Sequence, residues 1–390
     1  MIQVNIIIVG AGGHAQSWKA YINAHESWKL VGIVDTDTEK LQHATLWGVP
    51  EENAYPSIED AVRWGDEKID AALITTPIPT HHLLATQAIE LGLHVIVEKN
   101  MAATIEQARA MVMLARKHPE LCTMVGTQYR FRPLWWTVHQ LLHEDDAIGK
   151  LSVVRARSTA YSGAMRSGWR AWLEDIYPHD MMIHHMDVLR YTTNLEFIMI
   201  QARVFKPAWS KWLGASSVMM DFVMAPRGKE QEKDEWVHGQ YYGDWQGTGL
   251  KADWEDTFEF YGPRGSIRIE PPAERPASAW EKGPLMPLAG EATGTHITLY
   301  QDTQEGKHMV TAIEKRDDVE HHPQGFIDQM YMLDDLYQSI QSGGQRQPMV
   351  NFEEAYKSFL ATRLAVSSSQ TGKTIWVPKY WLEPVPSPEL

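Results

Sequence analysis

The first third of the chain alternates short apolar runs with longer stretches whose apolar residues recur at helical spacing. Runs rich in β-branched residues predict buried strands at residues 4–9, 30–34, 71–75, 94–97 and 122–125. The stretches between them predict helices at residues 13–24, 38–46, 57–64, 80–91 and 104–117. Strands that alternate with helices favour a parallel sheet covered on both faces. We therefore predict a doubly wound α/β domain over residues 1–125.

The pattern changes after residue 125, where alternation with a period of two becomes the dominant signal. It predicts strands at residues 152–160, 197–204, 216–224, 257–261 and 266–270, and a last short strand at 373–377. Helices are predicted at residues 133–143, 180–192, 326–342 and 352–369, and loops at 226–256 and 271–295. Consecutive strands joined by turns favour an open, largely antiparallel sheet. We predict an α+β domain over residues 126–390, whose C-terminal segment packs back on the first domain.

Composition and charge exclude several classes of protein. The 390 residues carry a formal charge of −14, whereas a nucleic-acid partner requires a basic surface. No apolar run reaches the length of about 18 residues that a membrane span needs, and the first residues do not have the pattern of a secretory signal, so we expect none. We therefore expect a cytoplasmic protein with no membrane partner. The single cysteine, Cys122, excludes an internal disulfide and a thiolate-rich metal site.

A glycine-rich turn follows the first predicted strand at residues 10–15 and has the pattern G-x-G-x-x-A. Gly10 permits the tight turn, Gly12 lets the backbone approach a pyrophosphate, and Ala15 lets the helix pack close to the strand. The second strand ends at Asp35, the expected position for an acid that binds the ribose hydroxyls of NAD. Residues 36–38 contain no arginine for a 2′-phosphate. The motif predicts NAD as cofactor, and a glycine-rich turn without a ligand is the alternative.

Glu98 and Lys99 follow the fourth predicted strand. The carboxyl ends of parallel strands line the ligand crevice of such a sheet. A lysine there can stabilise the alkoxide that develops when an alcohol loses a hydride, or relay its proton. Glu98 can orient the lysine or contact the cofactor. An ordinary surface ion pair is the alternative, and the residues alone leave both open.

A third group is the series Asp180, His184 and Asp187, whose steps of four and three residues return to one face of a helix. On that helix His185 points away from this face. A histidine flanked by carboxylates is a base for near-neutral pH, because one acid fixes the tautomer and stabilises the imidazolium. Two alternatives remain open, a divalent metal site that also uses His179 and a structural helix with solvated charges.

Together these motifs resemble the glucose–fructose oxidoreductase and inositol dehydrogenase family, often written Gfo/Idh/MocA. The resemblance extends over nearly the whole chain, and it is carried by residues 10–15, 35, 76–81, 88–95, 98–99, 126–131, 169–170, 180–187 and 262–266. It implies a Rossmann domain followed by an α+β domain that binds substrate. It also implies a homodimer or homotetramer, because family members commonly pair through the open sheet of the second domain.

The resemblance implies a role for each matching residue. His184 takes the proton of a substrate hydroxyl, Asp180 orients His184, and Lys99 polarises the reacting oxygen. The residues implied to contact NAD are Gly10, Gly12, Gly13, His14, Ala15, Asp35, Thr75, Thr76, Pro77, His81, Glu98, Lys99, Gln128, Trp169 and Arg170. Those implied to contact substrate are Lys99, Tyr161, Trp169, Arg170, His179, Asp180 and His184. The resemblance implies no metal.

Three departures from the family pattern stand out. The family's proline after the lysine is replaced by Asn100, and a cis bond before asparagine is costly, so we expect the Lys99 backbone to differ. The usual glycine pair before the aspartate is replaced by residues 175–176, Asp and Ile, which should narrow or reshape the substrate pocket. His179 and His185 are additional, and we expect His179 to touch substrate and His185 to bond elsewhere.

The resemblance and the residues together predict an NAD-dependent oxidoreductase. It transfers a hydride between nicotinamide and a secondary alcohol of a sugar, glycoside or cyclic polyol. A first alternative is an NAD-dependent glycoside hydrolase, which oxidises a sugar hydroxyl transiently, eliminates the aglycone, adds water and returns the hydride. A second alternative is a nucleotide-binding regulator without catalysis, which has no need for Lys99 and His184.

Overall fold

A computed structural model describes residues 3–159, 168–246, 257–270, 296–301, 307–310 and 327–382. Its first sheet contains six parallel strands, β1 (Val4–Val9), β2 (Trp28–Val34), β3 (Ala54–Tyr55), β4 (Ala71–Ile74), β5 (His94–Val97) and β6 (Thr123–Val125). Their order in the sheet is β3-β2-β1-β4-β5-β6. The chain order reverses between β1 and β4, so a ligand crevice forms beyond the carboxyl ends of these two strands.

Five helices connect these strands, α1 (Gly13–Ala24), α2 (Thr38–Leu41), α3 (Ile58–Trp64), α4 (Ile78–Glu90) and α5 (Ile105–Lys117). The apolar residues Ile6, Ile7 and Ile8 of the central strand β1 are fully buried, as expected for a strand covered on both faces. The helix predicted at residues 38–46 is wrong in extent. It divides into α2 and a 3-10 turn, Ala44–Trp47, which ends at Gly48 in the left-handed conformation.

The second sheet has nine strands. They are β7 (Val153–Thr159), β8 (Glu196–Phe205), β9 (Ser217–Ala225), β10 (Val237–Asp244), β11 (Thr257–Gly262), β12 (Gly265–Glu270), β13 (His296–Gln301), β14 (Lys307–Val310) and β15 (Ile375–Trp376). Their order is β14-β13-β12-β11-β7-β10-β9-β8-β15, and every neighbouring pair is antiparallel except β7 with β10. The predicted fold class, a parallel α/β domain followed by an α+β domain with a largely antiparallel sheet, is confirmed.

In the described part of the second domain, six helices accompany this sheet, α6 (Pro133–His143), α7 (Ile176–Asp180), α8 (Met182–Thr193), α9 (Ile327–Gln341), α10 (Phe352–Thr371) and α11 (Lys379–Leu382). The helix predicted at residues 180–192 is wrong at its start. Met181 has φ −105° and ψ −47°, and it separates α7 from α8. The face that joins Asp180 to His184 on a single helix is therefore not formed.

The predicted loop at residues 226–256 is also wrong, because strand β10 lies within it. The glycines of this segment led to the wrong prediction, because glycines in a sequence usually indicate a turn. In the sheet they make room for aromatic rings. A Cβ atom at Gly239 would lie 2.0 Å from the Phe222 ring, and one at Gly243 would lie 2.1 Å from the Tyr177 ring. The predicted loop at residues 271–295 lies outside the described residues.

Helices α9 and α10 contact the first domain. Trp28 Nε1 donates to the carbonyl oxygen of Leu333 in α9 at 3.2 Å. Arg116 of α5 forms an ion pair with Glu353 of α10 at 2.9 Å. These contacts pack α9 and α10 against the first domain, and α10 in turn contacts α7 and α8. The boundary between residues 125 and 126 stays a prediction.

Candidate functional site

A cavity of about 990 Å³ opens beyond the carboxyl ends of β1 and β4. Its volume is in the range of pockets that bind cofactors. The predicted residues that line it are Gly10, Gly12, Gly13, His14, Asp35, Thr75, Thr76, Pro77, Glu98, Lys99, Arg170 and Asp180. The cavity thus brings together residues that are far apart in sequence and belong to both sheets' domains.

The other predicted residues lie elsewhere. Ala15 is fully buried and packs α1 against the sheet, as expected. His81 is buried below the wall, and its two ring nitrogens contact the carbonyl oxygens of Asn100 and Thr76 at 2.7 Å each. Gln128 is half-buried in a 3-10 turn after β6. Tyr161 and the side chain of Trp169 lie outside the described residues.

The glycine turn leaves space for a ligand to approach the backbone closely. Gly10 has φ +98°, and a Cβ atom there would lie 2.7 Å from the Thr76 methyl group. Gly12 is the N-cap of α1 and provides no side-chain cap to the first amides of the helix. A Cβ atom at Gly12 or Gly13 would meet no described atom within 4 Å. The turn therefore leaves an open cradle at the start of α1, which is the arrangement that binds a phosphate.

Asp35 lies at the end of β2 with both carboxylate oxygens engaged. Oδ2 accepts from the Ala11 N–H at 2.8 Å and from Lys40 Nζ at 3.0 Å, and Oδ1 accepts from the Asp37 N–H at 2.9 Å. Burial raises the pKa of Asp35, but these hydrogen bonds outweigh burial and lower it below its usual value. Asp35 is therefore an ionised acceptor beside a lysine. Lys40 is not among the residues predicted from sequence, because it follows the family motif and reaches Asp35 only through the turn into α2.

Glu98 is buried beneath the cavity and accepts three hydrogen bonds. His14 Nε2 and Trp18 Nε1 donate to Oε1 at 2.9 and 2.6 Å, and the Lys99 N–H donates to Oε2 at 3.1 Å. Burial raises the pKa of Glu98, but the charge of His14 and these hydrogen bonds lower it to about 2. In turn the Glu98 charge raises the pKa of His14. A Cβ atom at Gly126 would lie 3.1 Å from the Glu98 carboxyl carbon.

Lys99 and Arg170 share the carboxylate of Asp180. Lys99 Nζ donates to Oδ1 and, at 2.7 Å, to the Asp180 carbonyl oxygen, while Arg170 Nε donates to Oδ2 at 2.7 Å. Burial raises the pKa of Asp180, but the two cations outweigh it and hold this pKa well below its usual value. Asp180 thus holds an ammonium and a guanidinium at the cavity wall and does not bond His184.

The peptide bond between Lys99 and Asn100 is cis, so the expectation that it departs from a cis bond is wrong. Asn100 is buried and held on both sides. Its side-chain amide donates to the carbonyl oxygen of His179, and its own carbonyl oxygen contacts His81. Asn100 therefore ties α4 of the first domain to α7 of the second.

His184 does not form the predicted set with two carboxylates. Asp187 instead accepts from Arg130 Nε at 2.7 Å and from Ser358 Oγ at 2.8 Å. Within the described part of the chain, no group bonds His184 Nδ1, and the ring stacks on Tyr129 with centroids 4.4 Å apart. Burial and the charge of Lys99 lower the pKa of His184 well below its usual value. The charge of Asp180 raises this pKa but does not offset them. The imidazole is therefore neutral.

Arg363 of α10 is a residue that the sequence analysis missed. Its Nη1 contacts His179 Nδ1 at 2.7 Å and donates to Asp175 at 2.9 Å. Asp175 is turned toward Arg363, and Ile176 is fully buried. His179 is thus held by a guanidinium from a helix 184 residues later in the chain, which no local pattern indicates.

His185 bonds elsewhere in the fold, as expected, through Nδ1 to the Tyr241 hydroxyl at 2.5 Å.

Among the described residues, no group of three or more histidine, cysteine, aspartate or glutamate side chains is placed to hold a metal ion. None of the described helices is long and apolar enough to cross a membrane. The cavity therefore combines an anion-binding helix start, an acceptor for hydroxyl groups and an ammonium. His179 and His184, both predicted to contact substrate, are not among the residues that line it.

Residues 4–127 match the model of an oxidoreductase family with an NAD-binding Rossmann fold. The match confirms the predicted NAD-binding fold. The uncharacterized protein y4oX of Sinorhizobium fredii is 27% identical over 279 residues, which are 68% of this chain and 70% of that protein. The 1,5-anhydro-D-fructose reductase of Ensifer adhaerens is 27% identical over 194 residues, 48% of this chain. These residues cover 56% of the reductase, so the chain spans little more than half of that relative.

A solved oxidoreductase from Agrobacterium radiobacter, in complex with NAD+, L-tartaric acid and magnesium, superposes on this chain with a TM-score of 0.75. The superposition covers 96% of this chain and 98% of that one, at 17% sequence identity. At that identity the likeness shows the fold alone. It extends over both sheets, including the nine-stranded one that the family model does not reach.

Proposed function

We propose that the chain is an NAD-dependent oxidoreductase of sugars, glycosides or cyclic polyols, because residues 4–127 match the Gfo/Idh/MocA family model of NAD-binding oxidoreductases. It transfers a hydride between nicotinamide and a secondary alcohol. One observation carries the proposal. Lys99 and Arg170 share the Asp180 carboxylate in the wall of the same cavity that the glycine turn lines. The carbohydrate substrate of the related reductase, as its name gives it, supports this substrate class.

NAD fits the residues of the cavity. The uncapped amides at the start of α1 and the open space at Gly12 and Gly13 suit a pyrophosphate. Asp35 is an ionised acceptor for the adenosine ribose hydroxyls. The wall formed by Thr75, Thr76, Pro77, Glu98 and Lys99 is proposed to hold the nicotinamide half. Bound NAD supplies the carbon that accepts the hydride.

The proton of the substrate hydroxyl is proposed to pass to His184. The alcohol loses a C–H bond and an O–H bond. The hydride leaves with two electrons, and the proton goes to the neutral imidazole. A neutral ring can accept a proton, and its lowered pKa keeps it in that form. Lys99 donates to the reacting oxygen and stabilises the charge that develops there. Asp180 orients Lys99 rather than His184, because its carboxylate bonds Lys99 and Arg170.

Substrate contacts are proposed for Arg170 and His179 in addition to Lys99 and His184. Arg170 lines the cavity through a side chain that is one-third exposed. His179 is adjacent to Asp180 in α7, and Arg363 fixes its ring. Tyr161 and Trp169 are retained as proposed contacts from the sequence alone.

The proposal is tested with the whole chain, NAD and a panel of sugars, glycosides and inositols. We expect formation of reduced nicotinamide with at least one member, followed by absorbance. His184→Asn should abolish this turnover, whereas His238→Asn, at an exposed position of strand β10, should not change it. No reduced nicotinamide from any member, together with no NAD binding by tryptophan fluorescence, contradicts the proposal. Release of a chromogenic aglycone that requires NAD but leaves no reduced nicotinamide identifies the redox-neutral hydrolase instead.

We also propose a homodimer or homotetramer that pairs through the open face of the nine-stranded sheet. That face carries Met219, whose exposed fraction is 50%, beside a groove between Arg157 and Glu259. Light scattering should give a mass of two or four chains. Met219→Asp should shift it toward one chain, and a monomeric wild-type protein contradicts this part of the proposal.

A further inference from the structure

We propose that Tyr129 and Arg132 are positioning residues that hold the His184 ring in the orientation in which it accepts the substrate proton. They do so in place of a carboxylate, since no group in the described part of the chain bonds His184 Nδ1. This inference rests on the proposed function, in which His184 is the base. It adds Tyr129 and Arg132 as residues that orient the base. Neither the Asp180–His184 motif nor the family match gives these two residues a role.

The three side chains form a column. The Tyr129 ring lies between the guanidinium of Arg132, 3.7 Å from its centroid, and the imidazole of His184, 4.4 Å from its centroid. The tyrosine and histidine planes are inclined by only 15°. Tyr129, Arg132 and His184 are 2%, 1% and 4% exposed. Burial on this scale leaves the imidazole little freedom to turn, because a stacked ring can move only within its plane.

The far end of the column is also fixed. Arg132 Nε donates to the carboxylate of Asp328 in α9 at 3.0 Å, and both residues are buried. Tyr129 belongs to the 3-10 turn Gln128–Phe131, and Arg132 ends that turn at the N-cap of α6. Three elements from distant parts of the chain thus hold one ring. The column is anchored independently of the cavity wall.

The chemical consequence is a base that is oriented without a carboxylate bonded to its Nδ1. A carboxylate bonded to His184 would favour the imidazolium, whereas a stacked ring orients the imidazole without adding negative charge. The charged and titratable groups that face His184 are Lys99, Arg132, Asp180 and His185, from four different segments. Of these, only Asp180 raises the pKa of His184, and Lys99 and Arg170 already bond its carboxylate.

The first test compares two variants of Tyr129 in the whole enzyme. Tyr129→Leu removes the stacked ring, and we expect kcat to fall about 10–100-fold through misplacement of the base. Tyr129→Phe keeps the ring and should restore most of that loss. The NAD dissociation constant should change little in either. The matched control is Tyr191→Leu, which removes a comparable tyrosine–histidine stack, on His139 at 5.0 Å, away from the cavity. It should leave kcat near the wild-type value.

The second test is the pH profile of kcat/KM. Arg132→Met combined with Asp328→Asn removes both charges together, so no unpaired charge stays buried. Without the guanidinium the pKa of His184 rises, and the base is protonated at higher pH. The acid limb of the profile should therefore move to higher pH. A purely structural role of Arg132 would lower stability without moving this limb.

A third measurement needs no change to the column. In wild-type protein with labelled histidine, the His184 signal is assigned by its loss in His184→Asn. It should show an upfield ring-current shift and remain neutral at about pH 6.5, where an ordinary histidine is half protonated. An unshifted signal, or equal kcat in Tyr129→Leu and Tyr191→Leu, overturns the inference. Wild-type turnover in His184→Asn instead overturns the proposed base itself, so the two failures are distinguishable.

Discussion

Lys99→Met is the substitution that tests the site most directly. Methionine keeps an unbranched apolar side chain of similar length and removes the ammonium that bonds the Asp180 carboxylate and carbonyl oxygen. Arg170 still donates to the second carboxylate oxygen at 2.7 Å. The change therefore removes one of two cations from a buried acid and removes the proposed donor to the reacting oxygen.

The two effects differ in size. Loss of a donor to a developing alkoxide costs about 10²–10³-fold in kcat, or about 2.7–4 kcal/mol. Breaking a buried pair can cost about 3–5 kcal/mol of stability. Here Asp180 keeps Arg170, and the Lys99 side chain is 15% exposed. We therefore expect a loss of about 1–3 kcal/mol, because two acceptors on Asp180 lose a donor while the carboxylate keeps its second cation. The variant should fold, bind NAD and turn over slowly.

The assay measures kcat and KM from nicotinamide absorbance, and thermal unfolding by circular dichroism. Lys40→Met is the matched control, because it removes a lysine from the same cavity that bonds Asp35 instead. It should weaken NAD binding and leave kcat close to the wild-type value. If Lys99→Met retains kcat within about threefold while losing NAD affinity, the lysine serves the cofactor and the argument for its role at the substrate oxygen is refuted.

Three further predictions follow from the same site. Gly126→Ala places a methyl group 3.1 Å from the Glu98 carboxyl, which three donors hold in place, so we expect a loss of about 1–3 kcal/mol in denaturant unfolding. Gly12→Ala meets no described atom, so it should keep stability and weaken NAD binding instead; equal stability of both variants contradicts this account. The Glu98 charge raises the pKa of His14, so its contribution to stability is complete below about pH 6.5 and is lost as the pH rises through the folded-state pKa. Melting temperatures should show this loss in the wild-type protein and a smaller one in His14→Gln, and identical pH dependence of the two speaks against the pair. Arg363→Met frees His179 and Asp175, and should raise KM for the sugar or polyol with little change in NAD affinity. An unchanged KM shows that His179 does not face substrate.

The structure of the N-terminal, NAD-binding domain could be predicted from local sequence patterns. The glycine turn, the helix start and Asp35 lie within one βαβ unit, so their spacing in sequence decides their spacing in space. Helices such as α6, Pro133–His143, were predicted to the residue, because their apolar period is strong. The second sheet was harder to predict. Gly239 and Gly243 indicate a turn in the sequence, whereas in the structure they leave room for aromatic rings beside strand β10.

The sequence by itself determined the fold class, the cofactor fingerprint and which residue types could do chemistry, because these depend on periodicity and short spacing. Only the tertiary structure decided how those residues are paired. Asp180 meets Lys99 across 81 residues, and Asp187 meets Arg130 rather than His184. The break at Met181 removes the helical face on which the histidine was expected to meet its acids. Pairing of buried charges follows from which helices pack together, and that is a property of the whole core rather than of any one segment.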